Sequence, residues 1–392
     1  MRRVFIAFSH RTPVTPRYGA AKSVPFYSLA APVLKALESD VRAFNQSINI
    51  QNPWKLHSVI AGNALGAGGN PARLMSLAAG LPNALPALSV DSQCCSGLDA
   101  IGLAYERLKG LPSESGHQVV LAGGAESASQ APIRMNRETN EIYEQAPFTP
   151  WPDRDPNMIE AALALEKERE IPKDRMVDWA LRSHRLSLED RDKSLSLIPS
   201  AQGVLQDTLP RVLSERLLER ATQLGRYNPF LMAPLADGAA FSAILSFDHH
   251  LLEGSYNSPY DDALSKSKEW SFMEILDYVQ AGANPVLPGL SCEALDPWLK
   301  KAERRLRFSR SELLVALMES FSSQVLTNLN DLRLLDAQVN PWGGLLARGH
   351  PIGASGAILV WDLHKRLEPG QAGLAAIPAA GGLASGLLVK KL

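Results

Sequence analysis

Cys94 and Cys95 stand side by side in the run Ser89-Val-Asp-Ser-Gln-Cys-Cys-Ser-Gly-Leu98. An apolar stretch ends there and a helical pattern begins. A thiol at such a junction faces unpaired N–H groups and the positive end of a helix dipole, which favour its thiolate. The same N–H groups can hold an oxyanion, and Ser96 and Gly97 leave room for a substrate. The chemistry to expect is attack by sulfur. On residue types alone, two cysteines packed at a strand–helix junction explain the pattern at least as well, because free cysteine is commonly buried.

A partner for the thiol lies far along the chain, in Asn340-Pro-Trp-Gly-Gly344 and Gly349-His-Pro-Ile-Gly-Ala-Ser-Gly356. Gly349 and Pro351 constrain the backbone on both sides of His350. A histidine held this way suits a general base. A lone histidine is more often structural, but a plain core gains nothing from so many glycines. A third segment, Gly373-Leu-Ala-Ala-Ile-Pro-Ala-Ala-Gly-Gly-Leu383, reads as a strand, a glycine turn and a last strand. Alone it is a simple hairpin.

The elements that must position these residues follow from apolar patterning. Short buried runs at Val4–Phe8, Ser58–Ile60, Pro86–Val90, Val119–Ala122, Ala243–Phe247, Ala375–Ile377 and Gly386–Val389 predict strands. Helical spacing predicts helices over Ser96–Lys109, Met158–Glu168, Arg175–Ser187, Pro297–Arg307, Glu312–Leu326 and about Ala354–Leu367. The alternation implies an α/β architecture with sheets covered on both sides. Gln130–Asp155, rich in Pro, Asn, Arg and Glu, opens an inserted loop region reaching to about Pro234. The polar stretch Asp248–Lys268 reads as a link between two halves of similar layout.

The 392 residues suggest two or more core-forming units. Forty Lys and Arg against 41 Asp and Glu, a net charge of −1, give no electrostatic reason to expect a nucleic acid or an anionic membrane as the main partner. Three cysteines, with Cys292 the third, fit a reduced compartment. No apolar run approaches membrane-spanning length, and Val4–Phe8 is too short for a signal sequence. A soluble, cytoplasmic protein is expected. His249 and His250 beside Asp248 lack further ligands at suitable spacing, so no metal is expected.

Taken together, and in order along nearly the whole chain, these segments resemble the thiolase family. His10-Arg-Thr-Pro13 resembles the opening strand and turn. Gly62-Asn-Ala-Leu-Gly-Ala-Gly-Gly-Asn-Pro-Ala-Arg73 and Ala78-Ala-Gly-Leu-Pro82 resemble the segment before the nucleophile. Gln93-Cys-Cys-Ser-Gly-Leu98 resembles the nucleophile motif, Ala122-Gly-Gly-Ala-Glu-Ser-Ala-Ser-Gln-Ala-Pro132 the strand and turn after it, and Trp179-Ala-Leu-Arg-Ser183 a helix of the loop domain. Asp237-Gly-Ala-Ala240 and Gly349-His-Pro-Ile-Gly-Ala-Ser-Gly356 complete the set. The resemblance implies a five-layered α/β/α/β/α fold built from two similar halves, residues 1–247 and 270–392. A loop domain at about 130–234 lies in the first half, and a linker at 248–269 joins the two.

The resemblance also implies chemistry. Cys94, activated by His350, takes an acyl group from a coenzyme A thioester, which is a substrate and not a bound cofactor. The backbone N–H groups of Cys94 and Ala380 hold the oxyanion. Two positions depart from the family. Its Asn-Glu-Ala-Phe motif is Met318-Glu-Ser-Phe321 here, and the second cysteine of its Cys-x-Gly turn falls on Pro378. Both missing groups serve abstraction of an α-proton from a second acyl-CoA; neither serves acylation of Cys94. Three functions therefore stay in view. The first is acyl transfer to an acceptor that needs no such base: an amine, a hydroxyl, a thiol or a decarboxylating acid. The second is a working thiolase with a substitute base, Glu319 or His350. The third is a non-catalytic acyl-CoA-binding subunit, against which intact Cys94 and His350 argue. Cys95 and Cys292 are expected to pack. Arg134, Lys173 and Arg226 are candidates for the coenzyme A phosphates, and a homodimer or homotetramer is the expected assembly.

Overall fold

Side-chain alternation along each strand decides which core it serves. In the computed structural model, residues 2–48, 53–112, 115–191, 197–199, 202–222, 228–247, 272–285 and 291–392 are described. The elements run β1 (Arg3–Arg11), α1 (Phe26–Ile48), β2 (Lys55–Gly62), α2 (Pro71–Ala78), β3 (Ala87–Val90), α3 (Ser96–Lys109), β4 (Gln118–Ser127), α4 (Met158–Glu168), α5 (Lys173–Arg191), α6 (Glu215–Thr222) and β5 (Ala236–Phe247). They continue with β6 (Met273–Gly282), α7 (Asp296–Leu306), β7 (Leu314–Leu317), α8 (Ser322–Asp331), α9 (Leu345–Arg348), α10 (Ile352–Arg366), β8 (Ala372–Ala379) and β9 (Leu383–Lys391). Val4 and Ile6 of β1 face an inner core while Phe5 and Ala7 face an outer one. Ala375 and Ile377 of β8 face the inner core, and Leu374 and Ala376 a second outer one. Strands buried on both faces explain their continuous apolar runs.

The strands form one ladder in the order β7-β8-β9-β6-β1-β5-β4-β2-β3, with a short strand, Thr15–Pro16, beside β5. The order β3-β2-β4-β5-β1 in the first half is repeated as β7-β8-β9-β6 in the second, without a counterpart of β3. The halves join through two residue pairs, Phe5↔Glu274 and Ile6↔Met273. Between them lie α3 and α10, each packed on strands of both halves. With α1 and α2 outside one half-sheet and α7 and α8 outside the other, the layers are α/β/α/β/α.

Backbone contact between the two central helices requires glycine. A Cβ on Gly62 would lie 2.6 Å from the Gly97 nitrogen, and one on Gly97 would lie 2.7 Å from the Gly353 oxygen. This lets the N-termini of α3 and α10 meet at the ends of β2 and β4. Ion pairs tie the inserted region to this core, Asp190 of α5 accepting from Arg366 of α10, and brace the core itself. Asp207 accepts from both guanidinium nitrogens of Arg11 at 2.7 and 2.8 Å, and Arg348 donates to Asp362 of α10 at 2.9 Å. The guanidinium groups of Arg11 and Arg366 lie 4.4 and 5.2 Å from the centre of the Trp361 ring.

One predicted element is wrong in type. Glu312–Leu326 is not a helix: β7 occupies Leu314–Leu317, and α8 starts at Ser322. A short run buried on both faces carries no period that separates strand from helix. Met318 and Glu319 therefore stand at the end of a strand. The inserted region begins with a small hairpin, Arg134–Met135 paired with Ile142–Tyr143. The expected linker, His249 and His250 lie outside the described residues.

Candidate active site

The segment carrying Cys94 turns sharply before α3. Gln93 has φ 55°, the left-handed region that few side chains occupy without cost. Its N–H donates to Asp91 Oδ1 at 3.0 Å. Ser96 Oγ donates to the Gln93 carbonyl at 2.6 Å and accepts from the Ser92 N–H at 2.9 Å. These bonds fix Cys94 one residue before the cap of α3, with 9% of its surface exposed.

His350 arrives from the other half of the chain. Its Nε2 lies 3.2 Å from Cys94 Sγ. Its Nδ1 lies 2.7 Å from Ser355 Oγ, which donates to the Pro351 carbonyl at 3.3 Å. A serine that gives its proton to a carbonyl must accept from Nδ1–H, and that tautomer leaves Nε2 free to take the thiol proton. The backbone is held too: the His350 N–H donates to the Pro234 carbonyl at 2.8 Å, and Gly349 has φ 99°.

Electrostatics at the pair run against a resting thiolate. Burial pushes the Cys94 thiol up to about 12, outweighing the stabilising N–H groups of Ala380 and of Cys94 itself, while the charges of Glu126 and Asp91 push the same way as burial. Burial also pushes His350 down to about 4. The helix N-terminus was expected to favour the thiolate; desolvation of the buried sulfur outweighs it. The resting pair is neutral thiol and neutral imidazole.

Ala380 follows β8 in a turn where Gly381 and Gly382 have φ 79° and 74°, angles that favour glycine. Its N–H and that of Cys94 converge on the sulfur. Pro378 pairs with Ala384 of β9, beyond the last β7–β8 pair, where a residue without an N–H is tolerated. Met318 is buried in the inner core, its carbonyl accepting from Gln324 Nε2 at 3.0 Å. Neither residue offers an acid, a base or a side-chain hydrogen bond. Cys95 is buried with its thiol 3.3 Å from the Ile377 carbonyl, and Cys292 is packed in the second outer core.

Glu319 is engaged elsewhere. Its carboxylate accepts from Trp179 Nε1 at 3.2 Å, Asn340 Nδ2 at 2.7 Å, Ser183 Oγ at 2.7 Å and the Leu346 N–H at 3.2 Å. Those donors occupy both oxygens and join α5 to α9. None of them is Cys94 or His350. Glu126 escaped the sequence reading although it stands in a motif quoted for the resemblance; the signal was a carboxylate in an otherwise apolar and small-residue strand.

A cleft of about 790 Å³ opens beside the pair. Gln93, next to Cys94, and Ile352, two residues after His350, line it with Leu235, and Ile133, Phe148 and Met158 are among its apolar walls. Arg134 also lines it. Lys173 is exposed at the start of α5, and Arg226 lies outside the described residues. A depression of about 870 Å³, between the α4–α5 turn and α8, is lined by none of the neighbours of Cys94 or His350. Among the described residues, no helix is long and apolar enough to cross a membrane.

Comparison with known proteins agrees with this fold. The chain matches the thiolase N-terminal domain over residues 4–195 and the thiolase C-terminal domain over residues 272–391. It is 30% identical over 409 residues to a putative acetyl-CoA C-acetyltransferase of Staphylococcus haemolyticus, covering 100% of this chain and 99% of that one. It is 28% identical to a probable acetyl-CoA acyltransferase of Staphylococcus aureus over 425 residues, with 100% of each covered. The crystal structure of a Bacillus anthracis acetyl-CoA acetyltransferase superposes with a TM-score of 0.78 at 25% identity, over 100% of this chain and 99% of that one. An Ascaris suum thiolase crystallised with coenzyme A gives the same TM-score at 23% identity, over 100% of both chains. The chain is a member of the thiolase family, an acyltransferase by its class.

Proposed function

We propose that this chain transfers acyl groups from acyl-CoA through an acyl-Cys94 intermediate, by ping-pong, to an acceptor other than a second acyl-CoA. The observation that carries this reading is the contrast within one site. Everything that acylation requires is in contact: His350 Nε2 at 3.2 Å from the Cys94 sulfur, with two N–H groups converging there. The positions that would serve α-proton removal hold Met318 and Pro378.

In the first step His350 takes the thiol proton as sulfur attacks the thioester carbon. The new carbon–sulfur bond forms, the bond to the coenzyme A sulfur breaks, and the proton passes from His350 to the departing thiolate. The N–H groups of Cys94 and Ala380 stabilise the oxyanion. An acceptor amine, hydroxyl or thiol then repeats these steps in reverse order. A decarboxylating acid supplies its carbanion by loss of carbon dioxide, again without a base. The cleft beside Gln93 and Ile352 is the entry for the thioester, with Arg134 and Lys173 as candidates for its phosphates.

The second reading, a thiolase performing Claisen condensation or thiolysis with a substitute base, is favoured by the names of the relatives. The placement of Glu319 supports His350 over Glu319 as that base. A cytoplasmic homodimer or homotetramer is the expected setting. Edge strand β3, with Leu88 48% exposed, suits a contact between copies. The division into residues 1–247, 248–269 and 270–392 is proposed on the repeated strand order.

Two measurements on one sample separate these readings. Intact-protein mass spectrometry after incubation with a panel of acyl-CoA esters reads acyl-Cys94. NMR in heavy water reads exchange of the α-protons of acetyl-CoA. Acylation without exchange supports transfer to another acceptor; fast exchange supports the thiolase; neither signal refutes catalysis through Cys94.

A further inference from the structure

Glu126 closes β4 and is 1% exposed. Its carboxylate accepts from four N–H donors. Asn63 Nδ2 at 2.8 Å and the Leu65 N–H at 3.2 Å reach Oε1. The Ala64 N–H at 2.9 Å and the Gly353 N–H at 3.0 Å reach Oε2. Asn63 also donates its side chain to the Ala125 carbonyl at 2.9 Å and its N–H to the Val90 carbonyl at 3.1 Å. The carboxylate thus joins the ends of β2 and β4 to the first turn of α10, and Asn63 extends the link to β3.

That turn carries the base. Gly353 follows His350 by three residues and precedes Ser355, which holds His350 Nδ1, by two. The approach is close: a Cβ on Gly353 would lie 2.8 Å from Asn63 Cα and 2.9 Å from Glu126 Oε2. Free N–H groups at a helix start are the natural partners of a carboxylate. Glu126 therefore acts on α10 as an acceptor supplied from another strand.

We propose that Glu126 is a positioning residue for the Cys94–His350 pair: it holds the first turn of α10 in register with the nucleophile, and its charge opposes the thiolate. The proposal rests on reading Cys94 and His350 as nucleophile and base. The charged and titratable groups that interact with it are Asp91 after β3 and Cys94 before α3. Burial, reinforced by Asp91, raises the Glu126 carboxyl to about 7 against its N–H bonds, and its charge raises the Cys94 thiol. The two titrations are coupled. Below neutral pH the thiolate forms beside a neutral carboxyl; above it, beside an anion.

The test is the rate of Cys94 alkylation by iodoacetamide, read by peptide mass spectrometry on the full chain from about pH 5 to about pH 9. In the wild type, log rate against pH should flatten near neutrality and then steepen again. Glu126→Gln should give one straight line. It should also lower kcat for acyl transfer roughly 10- to 100-fold with little change in KM, because the base is displaced while the cleft is not. Asn63→Ala, which removes one donor and keeps the carboxylate, should move the break to higher pH. Glu319→Gln, another four-donor carboxylate away from α10, should lower Tm yet keep the break. A straight wild-type profile, an unchanged break in Glu126→Gln, or an unmoved break in Asn63→Ala overturns the proposal. If Glu126→Gln does not fold, the wild-type and Asn63→Ala profiles decide alone. Failure of the parent reading looks different: no acyl-Cys94 in the wild type, or acylation as fast in His350→Ala, overturns both.

Discussion

On the mechanism proposed above, replacing His350 by alanine removes the base for Cys94, and the structure bounds the effect. Ionising the resting pair means moving a proton from a thiol at about 12 to an imidazole at about 4. A gap of about 8 at 1.36 kcal/mol per pKa unit opposes the ion pair by about 11 kcal/mol. Attraction across 3.2 Å at an effective dielectric of about 20 returns about 5 kcal/mol. About 6 kcal/mol still opposes it, so the resting site holds no appreciable thiolate. Acylation must then move the proton as the carbon–sulfur bond forms, with His350 Nε2 as acceptor. His350→Ala should slow acylation roughly 10²- to 10⁴-fold, the range of a lost general base. The assay is single-turnover formation of acyl-Cys94 by quenched-flow mass spectrometry. The wild-type rate should also fall as pH drops through about 4, because protonated imidazole cannot accept. A rate within a few-fold of wild type in His350→Ala refutes the argument. So does a rate that falls around the ordinary histidine pKa, or a thiol that titrates as a free thiolate near neutral pH.

Other consequences are open to direct measurement. Gly124→Ala would drive a Cβ into the Gly353 carbonyl; it should cost about 1–3 kcal/mol in urea unfolding, and it should slow acylation by parting α10 from β4. Asp362→Ala strands the buried cation of Arg348 and should destabilise the chain by about 3–5 kcal/mol, more than Asp362→Asn. Burial holds His350 and His184 near 4 in the fold, below the ordinary value of 6.5. Their lowered folded pKa gives stability that is complete above the unfolded value and is lost as pH falls from about 6.5 towards about 4, up to about 3 kcal/mol each. His184→Gln should therefore flatten Tm against pH in that window. Restoring Pro378→Cys with Met318→Asn should raise α-proton exchange in acetyl-CoA while acylation stays within about tenfold; unchanged exchange would show that the missing groups do not limit it.

Order along the chain was enough to assign the family-like layout and every long strand except β6 and β7, because apolar period and glycine placement are local properties. Ser96–Lys109 was legible as a helix from its stripe, and Cys94 and His350 from the turns that hold them. Pro378 and Met318 were equally plain as departures, since a side chain that cannot donate or accept is known from its type. Distance and burial were not legible. That Cys94 meets His350 at 3.2 Å depends on two helices from different halves crossing on glycines. The protonation of that pair depends on desolvation, which reversed the expectation drawn from the helix dipole alone. Glu312–Leu326 misled because a strand buried on both faces has no distinguishing period. Glu319 and Glu126 show the same division most simply. Both are glutamates among apolar neighbours, and only the tertiary structure ties one to the inserted helices and the other to the turn that follows His350.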